Sequence, residues 1–126
     1  MSLTAAIRHA DVVRAMRESA EKVAAFLRAL ANEDRMLLLC QLTQGEACVY
    51  ELERLTDIRQ PKLSQHLGVL RKDHLVTTRR EGKRIYYNLS PGPTLEFLDV
   101  LYRNFCLDNL KNQAPSTETT PVESLP

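Results

Sequence analysis

Three cysteines, Cys40, Cys48 and Cys106, and a knot of charge at Arg79-Arg80-Glu81-Gly82-Lys83-Arg84 are the parts of this 126-residue sequence best suited to chemistry. A thiolate attacks electrophilic sulfur, yields to oxidation and binds soft metals. A cluster of guanidinium and ammonium groups binds polyanions. On residue type alone each has a plainer alternative. Free cysteine often only fills space in a core, and clustered charges are often a solvated surface. An odd number of widely scattered cysteines does not make a disulfide framework, and a reducing compartment keeps them free. The absence of a C-x-x-C motif and of an evident Cys–His pair weighs against a thiol enzyme. No enzymatic activity and no cofactor are expected.

The charge is unevenly spread. Residues 59–84 hold eight cations (Arg59, Lys62, Arg71, Lys72, Arg79, Arg80, Lys83, Arg84) and two anions (Asp73, Glu81), a net +6, so the other hundred residues carry −5 within a chain of formal charge +1. A basic stripe on an otherwise acidic body is the footprint of a polyanion-binding face. With 44% apolar and 26% charged residues the composition is that of an ordinary globular protein. One domain is expected over residues 1–111, followed by a disordered tail, residues 112–126, in the polar, proline-punctuated "NQAPSTETTPVESLP". The apolar runs are too short to span a bilayer. The N-terminal "MSLTAAIRHADVV" lacks the apolar core of a signal peptide. A cytoplasmic protein with no membrane partner is the expectation.

The elements that must position these groups follow from periodicity. Residues 12–31 predict an amphipathic helix, with Met16, Ala20, Val23, Leu27 and Leu30 at spacings of three and four. Asn32 is placed to N-cap a second helix, with Glu33 and Asp34 in its first turn, ending before Gly45. A short third helix covers 48–56, with Val49, Leu52 and Leu55 on one side, and Ile58 turns inward after it. The fourth helix starts near Gln60, with Pro61 in its first turn. Leu63, Leu67 and Leu70 form its buried stripe, opposite Ser64, Gln65, Gly68, Arg71 and Lys72. Residues 75–80 and 85–90 alternate as strands joined at Glu81–Arg84. Ile85, Tyr87 and Leu89 share one face, and Tyr86 and Asn88 the other. A last helix spans 94–110 along Leu95, Leu98, Leu101, Tyr102 and Phe105, and Phe97 and Val100 widen its apolar surface beyond what a small monomer needs.

Two short helices meeting at a tight turn, followed at once by a hairpin with a cationic tip, make a winged helix-turn-helix. The fold class is mainly α with a small β-hairpin, in the order α-α-α-α-β-β-α. Lying in a major groove, the fourth helix would offer Gln60, Lys62, Ser64 and Gln65 to base edges, with Arg71 and Lys72 at its cationic end. Arg79, Arg80, Lys83 and Arg84 on the wing would hold flanking phosphates of double-stranded DNA, contributing affinity more than sequence choice. His66 lies close to the buried stripe. It is read as a partly buried, hydrogen-bonded residue at the protein–DNA margin and not as a metal ligand, because no second His or Cys stands near it at ligand spacing.

The stretch "LSQHLGVLRKDHLVTTRREGKRIYYNLS" with its flanking helices resembles the ArsR/SmtB family of bacterial winged-helix repressors, over roughly residues 18–110. The resemblance implies a homodimer paired through the first and last helices, which represses transcription and releases DNA when an inducer binds. His74 departs from the glycine usual in the family at the helix-to-strand turn, but histidine tolerates a left-handed backbone. Metal sensors of the family often carry E-L-C-V-C-D-L at the third helix. Here "EACVYEL" keeps Cys48 but has Tyr50 for the second cysteine, and the last helix, "TLEFLDVLYRNFCLDNL", has no histidine. No standard metal site is expected. "LLLCQL" and "LYRNFC" resemble the family's dithiol branch. That implies Cys40 and Cys106 as sensing thiols, joined through sulfur by persulfides or polysulfides so that sulfide-response genes are derepressed. Cys48 is left as a bystander or accessory thiol. An arsenite-type metalloid or a general oxidant acting on the same thiols is the alternative inducer.

Overall fold

The computed structural model describes residues 9–109; the expected tail and the last residue of the expected final helix, Leu110, lie outside the described residues. Six helical and three strand segments follow one another. They are α1 (His9–Leu30), α2 (Glu33–Leu42), β1 (Ala47–Cys48), α3 (Val49–Thr56), α4 (Lys62–Lys72), β2 (Val76–Glu81), β3 (Arg84–Leu89) and α5 (Thr94–Leu101), which continues into a π-helical turn at Tyr102–Cys106.

The ends of the helices are closed by local chemistry. Asn32 takes an extended backbone and its side-chain oxygen accepts the Arg35 amide, as the sequence predicts for an N-cap. The Arg35 guanidinium then folds back on the end of α1. Its Nε donates to the Ala29 carbonyl at 2.7 Å and its Nη2 to the Arg28 carbonyl at 3.0 Å. Asp57 closes α3 in the left-handed region at φ 60°. His74 does the same after α4, at φ 64°. The amides of His74 and Leu75 return to the carbonyls of Arg71 and Leu70, at 3.1 and 2.8 Å. That pattern satisfies two of the last carbonyls of α4 and turns the chain into β2.

The core forms where the helix-turn-helix closes. Leu38 and Leu39 from α2, Leu52 from α3 and Leu63, Leu67 and Leu70 from α4 are fully buried, and Ile58 turns in from the loop. The predicted α4 stripe is therefore the central layer. Leu55 is a correction: it lies in the last turn of α3 and is half exposed, whereas Leu52, three residues earlier, is fully buried. The wing is also larger than a hairpin. Ala47 and Cys48 pair with Tyr87 and Tyr86, adding a third antiparallel strand in the order β1-β3-β2. Gly82 and Lys83 form the two-residue turn between Glu81 and Arg84, with Gly82 at φ 64°.

α5 docks on α1 through Phe97, whose ring stacks on Phe26 with centroids 5.3 Å apart and planes 1° from parallel. Leu98 is buried, whereas Leu95 and Phe105 of the predicted seam are exposed, as are Val13, Met16 and Leu27 on α1. A single chain thus leaves apolar rows on both terminal helices. The last helix is not regular either. The Leu107 amide bonds to the Tyr102 carbonyl, five residues back, and the Asn104 carboxamide donates to the Val100 carbonyl at 2.7 Å. This widened turn carries Cys106.

Candidate nucleic-acid interface and thiol site

α4 turns its polar side outward. Lys62, Ser64, Gln65, Gly68, Arg71 and Lys72 are exposed along it. Gln60, one of the expected base-reading residues, has a capping contact: its Oε1 accepts the Ser64 amide at 3.0 Å, satisfying a free donor of the first turn. His66 faces inward. Its side chain is 14% exposed, with Nε2 3.5 Å from Asp34 Oδ2 and Nδ1 3.5 Å from Arg35 Nη1. Lys62 reaches the same Asp34 at 3.8 Å. The ring thus lies between α2 and α4, at the edge of the outward face.

The wing places Arg80, Lys83 and Arg84 on the surface. Arg79 differs. Its Nε donates to Glu46 Oε1 at 2.9 Å, its Nη2 to Glu46 Oε2 and its Nη1 to Glu81 Oε1 at 2.8 Å. Its guanidinium lies over the Tyr86 ring, 4.7 Å from the centroid. Asn88 Nδ2 adds a bond to Glu46 Oε1 at 3.1 Å. These donors, from Arg79 first and Asn88 second, push the Glu46 carboxyl down to about 2. Glu46 was not among the residues singled out in the sequence. It stands in a loop 33 positions from Arg79, and no local pattern marks the pair.

The thiols fall into two environments. Cys48 is buried where β1 meets α3, and its backbone amide is held by Glu51 Oε1 at 3.0 Å. Cys40 and Cys106, 66 positions apart in the sequence, line one cavity of about 550 Å³, walled by Met36, Leu37, Leu98, Leu101 and Phe105. Both are partly buried and both are free. Burial pushes the Cys40 thiol above the ordinary range, and the charge of Cys106 pushes it the same way. The structure therefore brings together the two cysteines the resemblance pairs and keeps the third apart. No cluster of three or more His, Cys, Asp or Glu side chains fit for a metal ion occurs among the described residues. No described helix is long and apolar enough to cross a membrane.

Comparison with known proteins agrees with this architecture. The family model described as bacterial regulatory protein, arsR family, matches residues 32–78, from the cap of α2 to the start of β2. The biofilm growth-associated repressor of Agrobacterium fabrum is 49% identical over 92 residues, covering 73% of this chain and 79% of that protein. The transcriptional activator HlyU of Vibrio cholerae is 38% identical over 94 residues, 75% of this chain and 87% of that one. Among solved structures, the transcriptional repressor BigR from Xylella fastidiosa superposes with a TM-score of 0.69 at 42% identity, covering 74% of this chain and 95% of that one. With the order of elements, the outward face of α4 and the wing, these similarities mean that the chain belongs to the ArsR family of bacterial regulatory proteins and is a winged helix-turn-helix transcriptional repressor of that family.

Proposed function

We propose that this repressor works in the cytoplasm as a homodimer that leaves its operator when Cys40 and Cys106 become linked through reactive sulfur. The observation that carries this reading is the shared apolar cavity of the two thiols. The exposed apolar rows of α1 and α5 are the surfaces a second copy would cover. α4 offers Lys62, Ser64, Gln65, Arg71 and Lys72 to a major groove, flanked by Gln60 and His66, and the wing adds Arg80, Lys83 and Arg84 for phosphates, with Arg79 held beside them by Glu46 and Glu81. Two such faces, related by the dimer axis, would meet half-sites one helical turn apart.

The chemistry follows from the environments. Burial disfavours the Cys40 thiolate, so the first attack is assigned to Cys106. Its thiolate displaces a hydrosulfide anion from a chain sulfur of an inorganic polysulfide and keeps the rest of the chain as Sγ–S–SH. Cys40, after losing its proton to solvent, attacks the sulfur bonded to Cys106 Sγ and expels a second hydrosulfide, leaving Sγ–S–Sγ. The polysulfide is the oxidant, and the two thiols supply the electrons. The link would tie α2 to the π-helical turn of the last helix and bias the dimer away from the spacing of DNA half-sites.

Intact-mass measurement and peptide mapping of the non-reduced protein test this. After polysulfide, a Cys40–Cys106 crosslink heavier than a disulfide is expected, with loss of bound duplex DNA. Cys106→Ser should bind DNA normally and no longer release it. A Cys106→Ser protein that still released DNA would refute the pairing. A plain disulfide after both polysulfide and peroxide would make the protein a general redox sensor. Saturable, crosslink-free release by arsenite would make it a metalloid sensor.

A further inference from the structure

The wing of a DNA-binding protein is a poor place for a carboxylate, since phosphate repels it. Glu46 nevertheless stands at the base of this wing, in the loop that leaves the cysteine-bearing helix α2. The carboxylate holds Arg79 by two parallel hydrogen bonds and receives a third from Asn88. Glu81 takes the remaining terminal nitrogen of Arg79, and Tyr86 covers one face of its guanidinium. Two carboxylates therefore surround one cation, and a phosphate approaching Arg79 meets net negative charge. Forked arginine–carboxylate pairs of this kind fix orientation as well as supply attraction. Along the chain, Glu46 stands in the short loop that leaves the end of α2. The Thr43 amide and hydroxyl both donate to the Cys40 carbonyl, at 3.1 and 2.6 Å, and Glu46 follows three residues later.

We propose that Glu46 is a positioning residue for DNA binding: it locks the wing to the end of α2 through Arg79, and Arg79 serves this lock in place of a phosphate contact. Strands β2 and β3 of the wing and the end of the cysteine-bearing helix are thereby held in one arrangement. The inference rests on the wing being a DNA contact, and the test separates the two.

The sign of one substitution is decisive. Glu46→Gln removes an anion beside a polyanion, so an idle Glu46 predicts tighter binding and an anchoring Glu46 predicts weaker. Affinity of the full chain for a fluorescein-labelled duplex of arbitrary sequence would be measured across a salt series. Glu46→Gln and Arg79→Gln should each weaken binding by about fivefold, the upper range for one solvent-exposed ion pair. The double variant should be no weaker than either, and none of the three should change the salt slope. Arg80→Gln, as a phosphate contact, should lower that slope by about 0.9. Hydrogen exchange of the free protein should show faster exchange of the amides in Val76–Leu89 in Glu46→Gln and in Arg79→Gln alike. Equal or tighter binding by Glu46→Gln, an Arg79→Gln slope like that of Arg80→Gln, or unchanged wing exchange would overturn the proposal. Faster wing exchange together with an Arg80→Gln protein of unchanged affinity and slope would show that the wing is locked but touches no DNA, and would overturn it through the reading beneath it.

Discussion

Replacing Arg35 by methionine should destabilise this protein more than any substitution of an exposed ion pair, although Arg35 is itself a charged residue. Its guanidinium supplies the donor for the Ala29 carbonyl at 2.7 Å and another for the Arg28 carbonyl at 3.0 Å. Both belong to the last turn of α1, where helical amides run out; the Arg28 carbonyl also accepts the Ala31 amide at 3.2 Å, whereas Arg35 is the donor to the Ala29 carbonyl. Ala29 is only 1% exposed, so water cannot replace the lost donor there. A buried acceptor left without a partner costs about 1–3 kcal/mol. The Arg28 carbonyl lies at the surface, where solvent takes over. The contact to His66 Nδ1, at 3.5 Å, is too long to add much. Methionine keeps most of the aliphatic stem, so the expected loss is about 2 kcal/mol from hydrogen bonding. Urea unfolding at fixed protomer concentration would measure it, because dimerisation would otherwise shift the midpoint. Arg14→Met is the control. That residue pairs with Asp11 at 2.9 Å, but both side chains are more than half exposed. Such pairs contribute roughly 0.3–0.5 kcal/mol. If Arg35→Met fell within about 0.5 kcal/mol of the control, the claim that Arg35 closes α1 would be wrong.

Three further outcomes follow from the same geometry. Alkylation of Cys40 should accelerate only at a pH above that of an ordinary thiol, and in Cys106→Ser the midpoint should move down without becoming normal, since burial is the larger cause and the Cys106 charge the smaller; an unchanged midpoint would place the two sulfurs out of electrostatic reach. Glu46 has its carboxyl lowered to about 2, so its pairing with Arg79 should contribute fully above the ordinary carboxyl range and fade as pH falls through about 2. Carbon-detected titration of Glu46 should show that midpoint, rising toward the normal range in Arg79→Gln. Leu67→Ala, in a side chain only 2% exposed at the centre of the core, should cost about 2–5 kcal/mol in urea unfolding and take DNA binding with it, with a loss below about 1 kcal/mol refuting its central place.

Where structure rests on short-range rules, the amino-acid sequence by itself was sufficient. The Leu63, Leu67, Leu70 stripe of α4 and the Asn32 cap each depend on residues within one or two helical turns. The alternation through Ile85–Leu89 set the wing in the same way, apart from a one-residue shift at its ends. Tertiary structure decided what depends on distant partners. β1 is two residues long, too short to carry any periodicity, and exists because β3 offers it a free edge. Leu55 has the right spacing for burial, yet it stays half exposed. The π-helical turn moves Cys106 off the helical register that spacing alone implies. Arg79 reads as a free cation of the wing until the loop after α2 brings Glu46 to it. Cys40 and Cys106 share a cavity only because α5 folds back across α2. Helical and strand periods are local properties of the chain, whereas ion pairs, strand edges and cavities form between segments that only packing brings together.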